Sequence, residues 1–182
     1  MATAMYQQII QFWFEEVNPK QWWTVDSQFD QLIAQRFLPL MHQAAADELY
    51  AWRNVPHGRL AEIIILDQFS RNVYRNTPLA FTQDSMALAL AQEAVLLGVD
   101  KALTEIERTF LYLPFMHSES KLIHVWAEHL YRDHAPPGNY QFELRHKAIV
   151  DRFGRYPHRN AILGRASSDE EIAFLKEEGS SF

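Results

Sequence analysis

Apolar residues recur at three- and four-residue steps along nearly the whole chain, the period of an amphipathic helix rather than a strand. Ile9, Ile10, Trp13, Phe14 and Val17 form the first such stripe, which Asn18-Pro19 stops. Asp26 can cap a second helix carrying Phe29, Ile33 and Phe37, interrupted near Pro39. A third runs on through Leu49 and Trp52 until Pro56, and Gly58 to about Tyr74 reads as a mostly buried helix centred on Ile63-Ile64-Ile65-Leu66. After the Thr77-Pro78 turn, a helix from about Thr82 to Leu97 ends at Gly98, a typical left-handed stop. Thr104-Glu105-Ile106-Glu107 and Ser168-Asp169-Glu170-Glu171 both have the capping-box pattern, the first opening a helix that Pro114 disturbs. Ser118 can cap the next helix, which ends before Pro136-Pro137, and a helix over Asn139 to Phe153 closes at Gly154. With connections of only a few residues, the pattern predicts an all-α fold of antiparallel neighbours in a single domain over residues 1–182.

Composition agrees with a packed core: 48% of the 182 residues are apolar and 13% aromatic. Trp13, Trp22, Trp23, Trp52 and Trp126 are assigned to packing, since aromatics at helical spacing are usually core. There is no cysteine, hence no disulfide and no thiolate chemistry. The first basic residue is Lys20 and the early apolar stretch is broken by Gln7, Gln8 and Gln11, which makes a poor signal peptide. Apolar runs such as Ile63–Leu66 are far too short to cross a bilayer. The expectation is a cytoplasmic protein with no membrane partner.

Charge is unevenly distributed. The chain carries −6, yet Arg145 to Arg165 carries +5, leaving −11 on the remainder. Such a cationic island concentrates field and suits an anion or an acidic partner. Within it, Arg152-Phe153-Gly154-Arg155-Tyr156-Pro157-His158-Arg159-Asn160 contains a helix stop at Gly154 and a helix-starting proline, with Gly164 suited to the following stop. Tyr156 is a poor N-cap, so the backbone N–H groups of His158, Arg159 and Asn160 need another acceptor: an anion, a distant carboxylate or water. The strip is too short for a nucleic-acid surface, and no nucleic-acid partner is expected.

A second polar segment, Leu66-Asp67-Gln68-Phe69-Ser70-Arg71-Asn72-Val73-Tyr74-Arg75, continues the buried-looking helix. Four-residue spacing places Asp67, Arg71 and Arg75 on one face, with Gln68 and Asn72 in an adjacent row. Either Asp67 and Arg71 form a structural ion pair, or Asp67 orients Arg71 so that Arg71 or Arg75 grips a carboxylate or phosphate.

His117, in Phe115-Met116-His117-Ser118-Glu119-Ser120, stands beside a hydroxyl and a carboxylate, as an acid–base group would; such residues also commonly cap helices. A metal is not expected: His124, His129 and His134 step by five and scatter around a helix, and Glu143-Leu144-Arg145-His146 is a single Glu-x-x-His. Neither a G-x-S-x-G turn nor a GxxxxGK phosphate loop occurs, and no cofactor is implied.

The chain resembles a functionally unassigned bacterial family, domain of unknown function 924. The resemblance rests on Phe12-Trp13-Phe14-Glu15 with Trp22-Trp23, on Leu66 to Arg75, on Glu107-Arg108-Thr109-Phe110-Leu111-Tyr112-Leu113-Pro114-Phe115-Met116-His117-Ser118-Glu119, and on Arg152 to Arg165. Ser70 stands where the family often shows proline. The resemblance implies antiparallel helix pairs in a tetratricopeptide-like α-α superhelix and brings no activity, substrate or cofactor with it.

Three functional readings follow. The first is a polar pocket for a small anionic or carboxylate-bearing ligand, with Arg71, Arg75, Arg152, Arg155 and Arg159 as charge, His158 and Asn160 as donors, and Asp67 and Glu119 orienting them alongside Gln68 and Asn72. The second is a hydrolase or lyase without a metal, using His117, His146 or His158 as its acid–base group. The third is an interaction module clamping an acidic peptide or a free C-terminus. Against all three stands the possibility that these polar runs form a buried structural network.

Overall fold

The computed structural model describes residues 2–181, and the side chains of residues 5–181. Nine α-helices account for most of it: α1 (Ala2–Gln11), α2 (Ser27–Ala45), α3 (Pro56–Ile64), α4 (Ser70–Val73), α5 (Asp84–Leu96), α6 (Glu105–Met116), α7 (Lys121–His134), α8 (Pro137–Phe153) and α9 (Asp169–Phe174). No strand occurs among the described residues. Helix starts follow the capping chemistry of the sequence. Asp26 Oδ1 accepts from the N–H groups of Gln28 and Phe29 at 2.9 and 3.3 Å, and complete capping boxes open α6 at Thr104 and α9 at Ser168. Gly98 and Gly154 take positive φ after α5 and α8, where an L side chain would be strained.

Three expectations are corrected. Pro39 does not interrupt its helix: α2 runs unbroken over Ser27–Ala45, because Phe37, Leu40 and Met41 around it are buried and packing outweighs the lost hydrogen bond. The following helix starts at Lys121 with Ser120 as its N-cap, and Ser118 Oγ instead accepts from Ser120 N at 3.2 Å. The segment read as a third helix through Trp52 is a 3₁₀ turn, Tyr50–Asn54.

Two widened π turns interrupt the helices, Phe12–Glu16 after α1 and Ile65–Phe69 between α3 and α4. Each brings large rings to the centre. Trp13, Phe12, Phe29, Phe37, Phe69 and Phe110 are all buried and meet with centroid separations between 4.9 and 6.1 Å, in tilted, stacked and edge-on pairs. The course from Pro56 to Val73 threads this core, and every residue from Leu60 to Ser70 is buried. A smaller apolar cluster of Ile149, Val150, Tyr156 and Phe174, with Phe153 against it, anchors the segment after α8.

Gly58 lets this central helix approach the preceding turn. A Cβ there would lie 2.1 Å from the Trp52 carbonyl oxygen. Gly58→Ala is expected to destabilise the protein by about 1–3 kcal/mol or more, since backbone must move. Gly138→Ala, with nothing within 4 Å of its new Cβ, should be neutral or stabilising by up to about 1 kcal/mol. Urea titrations of the two variants check the pair.

Candidate functional site

The π turn at Ile65–Phe69 places Asp67 where the buried helix meets the end of α6. Asp67 is 1% exposed, and its carboxylate is shared among three side chains. Oδ1 lies 2.7 Å from His117 Nδ1 and 3.1 Å from Arg71 Nη1, while Oδ2 accepts from Gln68 Nε2 at 2.6 Å. Burial alone would raise the Asp67 pKa, but the Arg71 charge and the His117 contact outweigh it and hold the carboxyl well below its usual range. An ionised Asp67 can only accept, so His117 Nδ1 carries the proton of that bond. Burial, and then the Arg71 charge, push the His117 pKa down, so the ring is neutral at neutral pH and Nε2 keeps its lone pair.

Arg71 is clamped from its other side by Asp84, in the first turn of α5. Nη1 and Nη2 meet the two Asp84 oxygens at 2.9 and 3.0 Å. Arg159 completes the cluster. Its Nη1 reaches the already engaged Asp84 Oδ2 at 3.3 Å, and its Nη2 donates to the His117 carbonyl at 3.1 Å. Its guanidinium carbon sits 4.7 Å from the Phe81 ring centroid and 4.6 Å from that of Tyr156. Nε of Arg159 is buried without a hydrogen-bond partner among the described residues. Burial and the neighbouring Arg71 charge push the Arg159 pKa down, whereas hydrogen-bonded carboxylates raise those of Arg53, Arg75 and Arg155.

A cleft of about 380 Å³ opens over this cluster. Polar residues in its lining are Thr82, Asp84, Ser85, His117, Ser118, Glu119 and Arg159, and apolar ones are Pro78, Phe81, Leu88, Pro114 and Leu163. A second hollow of about 300 Å³, lined by Tyr6, Gln7, Ile10, Gln11, Glu15 and His57, contains no comparable cluster.

Behind the cleft wall lies a second histidine–carboxylate pair. His124 Nδ1 is 2.7 Å from Glu143 Oε1, and both side chains are fully buried. His124 Nε2 lies 2.8 Å from the Ser118 carbonyl, which can only accept, so Nε2 is protonated and one further proton holds the Nδ1–Glu143 contact. Tyr156 Oη donates to the Met116 carbonyl and sits 3.1 Å from the same His124 nitrogen. Residues 116 and 118 are thus gripped on either side of His117.

The other sequence-derived residues divide into those at the rim and those elsewhere. Glu119 lines the cleft, accepts from Arg165 at 2.6 and 2.9 Å, and takes the Tyr156 N–H at 2.8 Å. Asn160 is buried and holds Arg165 Nε at 3.0 Å through Oδ1. His158 packs 5.6 Å from the Tyr156 ring, and His146 donates from Nδ1 to the Phe142 carbonyl at 2.7 Å. Arg75 and Asn72 are not with Asp67. Both bind Asp30 of α2, at 2.7 and 2.8 Å for Arg75 and 2.8 Å for Asn72; Arg75 lies beyond the end of α4 at Val73. Arg152 pairs with Glu170 at the surface, and Arg155 forms a two-pronged pair with Glu171 at 2.6 and 2.7 Å.

The expectation that the N–H groups of Arg159 and Asn160 need an outside acceptor is also corrected. Pro157–Arg159 is one 3₁₀ turn whose Arg159 and Asn160 N–H groups bond to the Tyr156 and Pro157 carbonyls, and Glu119 takes the Tyr156 N–H. Sequence reasoning missed Asp84, Glu143 and Tyr156 as partners. Asp84 reads only as an acid in a first helical turn, and no spacing ties it to Arg71 or Arg159.

The fold and this cluster define an all-helical protein built around a buried carboxylate–histidine–arginine centre beneath a cleft. The chain belongs to the family of bacterial proteins of unknown function DUF924, whose model matches residues 9–179. It is similar to the solved structure of a protein of unknown function from Agrobacterium tumefaciens, with a TM-score of 0.92 and 35% identity over 97% of this chain and 99% of that one. No curated protein matches it. Among the described residues, no helix is long and apolar enough to cross a membrane, and no group of three His, Asp or Glu could hold a metal ion.

Arg71→Ala leaves Asp67 buried without its main counter-charge and should cost about 3–5 kcal/mol. Arg152→Ala removes a surface pair worth about 0–1 kcal/mol. Parallel denaturant melts of the two variants test this contrast. Burial holds His146 down at about 3 and, with the Arg159 charge, His158 at about 4. Both take up their protons more readily unfolded, so their contribution is full above pH 6.5 and is lost as pH falls. By pH 5 each should have cost about 2 kcal/mol of stability. Thermal melts from pH 7.5 to 5 should show that decline, and a shallower one in His158→Gln.

Proposed function

We propose that the cleft binds a small anionic molecule and that His117 moves a proton on it, in a reaction of the hydrolase or lyase class. The observation that carries this reading is the 2.7 Å contact between buried Asp67 and His117 Nδ1. It fixes the ring's tautomer and orientation and leaves Nε2 as the basic nitrogen of a residue in the cleft wall. A depressed pKa keeps that nitrogen unprotonated at neutral pH, and Asp67 offsets the positive charge the ring gains when it accepts a proton. Nε2 can take the proton of water or of an acidic C–H and return it to the leaving group, so hydrolysis and elimination both balance.

Arg159 is the anchor for the anion. The remaining arginines named from the sequence are already held by carboxylates on both prongs or lie away from the cleft, and they serve the fold. What supports His117 over His146 and His158 in this reading is its position in the cleft wall, since the other two rings pack around Tyr156.

A thermal-shift screen of phosphorylated metabolites, carboxylates and nucleotides finds the ligand. At 100 times its dissociation constant, a ligand adds about 2.7 kcal/mol. With that ligand, His117→Gln should lower turnover by about 10²–10⁴-fold while binding changes little. Unchanged turnover in His117→Gln removes the acid–base role.

A further inference from the structure

The charges around the cleft carry information about which anion it takes. Asp67, Arg71, Asp84 and Arg159 balance one another, His117 is neutral, and Glu119 is matched by Arg165. Within this balanced set, compensation is unequal. Arg71 receives both oxygens of Asp84 at 2.9 and 3.0 Å, and Asp67 as well. Arg159 receives one long contact of 3.3 Å to the same carboxylate, a backbone carbonyl and two ring faces. It is the cation with charge to spare, and its Nε is unpartnered.

The same walls limit how much negative charge can enter. Asp84 and Glu119 both line the cleft. A single negative charge is drawn to Arg159, but a second must approach two carboxylates in a partly desolvated space. Beside the charged groups, Pro78, Phe81, Leu88, Pro114 and Leu163 supply apolar lining, with the hydroxyls of Thr82 and Ser85 among them. A bare inorganic anion leaves that apolar lining uncovered, while an acid with a hydrocarbon or aryl body covers it.

We propose that the ligand is a small carboxylic acid carrying one negative charge and an apolar body, with its carboxylate on Arg159 and its body against Phe81, Leu88 and Leu163. This rests on the reading of the cleft as the ligand site and narrows it to one chemical class. Phosphate monoesters, which carry nearly two charges at neutral pH, are disfavoured.

The test is a comparison of matched probes on the wild-type protein at pH 7.5: 3-phenylpropionate, 3-phenylpropanol, acetate and phenyl phosphate. Binding is read by calorimetry and by the imidazole NMR signals of His117. The expected result is saturable binding of 3-phenylpropionate that shifts the His117 signals, with each other probe weaker by roughly tenfold or more. In Asp84→Asn the penalty on phenyl phosphate should shrink, and in Arg159→Gln the preference for 3-phenylpropionate over 3-phenylpropanol should vanish. If phenyl phosphate shifts the His117 signals and binds as tightly as 3-phenylpropionate, the single-charge proposal is overturned while the cleft remains the ligand site. If no probe shifts those signals, the cleft is not the ligand site and both readings fall. Because the probes are compared on the wild type, instability of either variant does not blunt the outcome.

Discussion

The buried carboxylate of Asp67 organises much of this molecule. The course buried from Leu60 to Ser70 carries two acids, Glu62, which pairs with Arg53, and Asp67, and an unpaired charge at that depth would cost several kcal/mol. Arg71 answers Asp67 from one turn onward, and His117 answers it from the end of α6. Arg71 is itself held by Asp84, which ties α4 to α5, and Arg159 bridges Asp84 to the His117 carbonyl, which ties the basic C-terminal run to both. Segments separated by up to 92 positions therefore meet because one carboxylate must be neutralised.

That network explains which parts of the site were legible in the sequence. Asp67 with Arg71 follows from helical spacing, since local geometry puts i and i+4 side chains together, whereas His117 and Arg159 stand out by residue type. Arg75 has the same spacing yet goes to Asp30, and it lies beyond the end of α4 at Val73. Asp84 was invisible for a different reason: its partners come from two distant segments, and nothing in a first-turn aspartate distinguishes a dipole acid from the hub of two arginines. The helical class, the capping boxes and the two glycine stops were legible because they are local chemistry. Pro39 misled because a helix can run past a proline when its other contacts are strong enough.

The basic run shows how a charge count can mislead about purpose. Four arginines within fourteen residues suggest one anion-gripping patch. In the fold, Arg155 turns to Glu171, Arg165 to Glu119 and Arg152 to Glu170. These pairs staple the loop and α9 onto the end of α8 and onto the start of α7. The acidic surplus of the rest of the chain supplies the partners, so the uneven charge is largely consumed in assembly.

What remains after that pairing is chemically specific. Arg159 has entered the interior with less compensation than its neighbours, and it lies beside a histidine that burial keeps neutral and an aspartate keeps oriented. Arg159 serves the network by bridging Asp84 to the His117 carbonyl, yet its one carboxylate contact is longer than those of Arg71. A neutral imidazole is likewise a poor counter-charge for a buried carboxylate, which Arg71 already satisfies. A neutral imidazole with its tautomer fixed and an arginine with incomplete compensation, side by side under a cleft, are the two groups on which the proposed anion site is built.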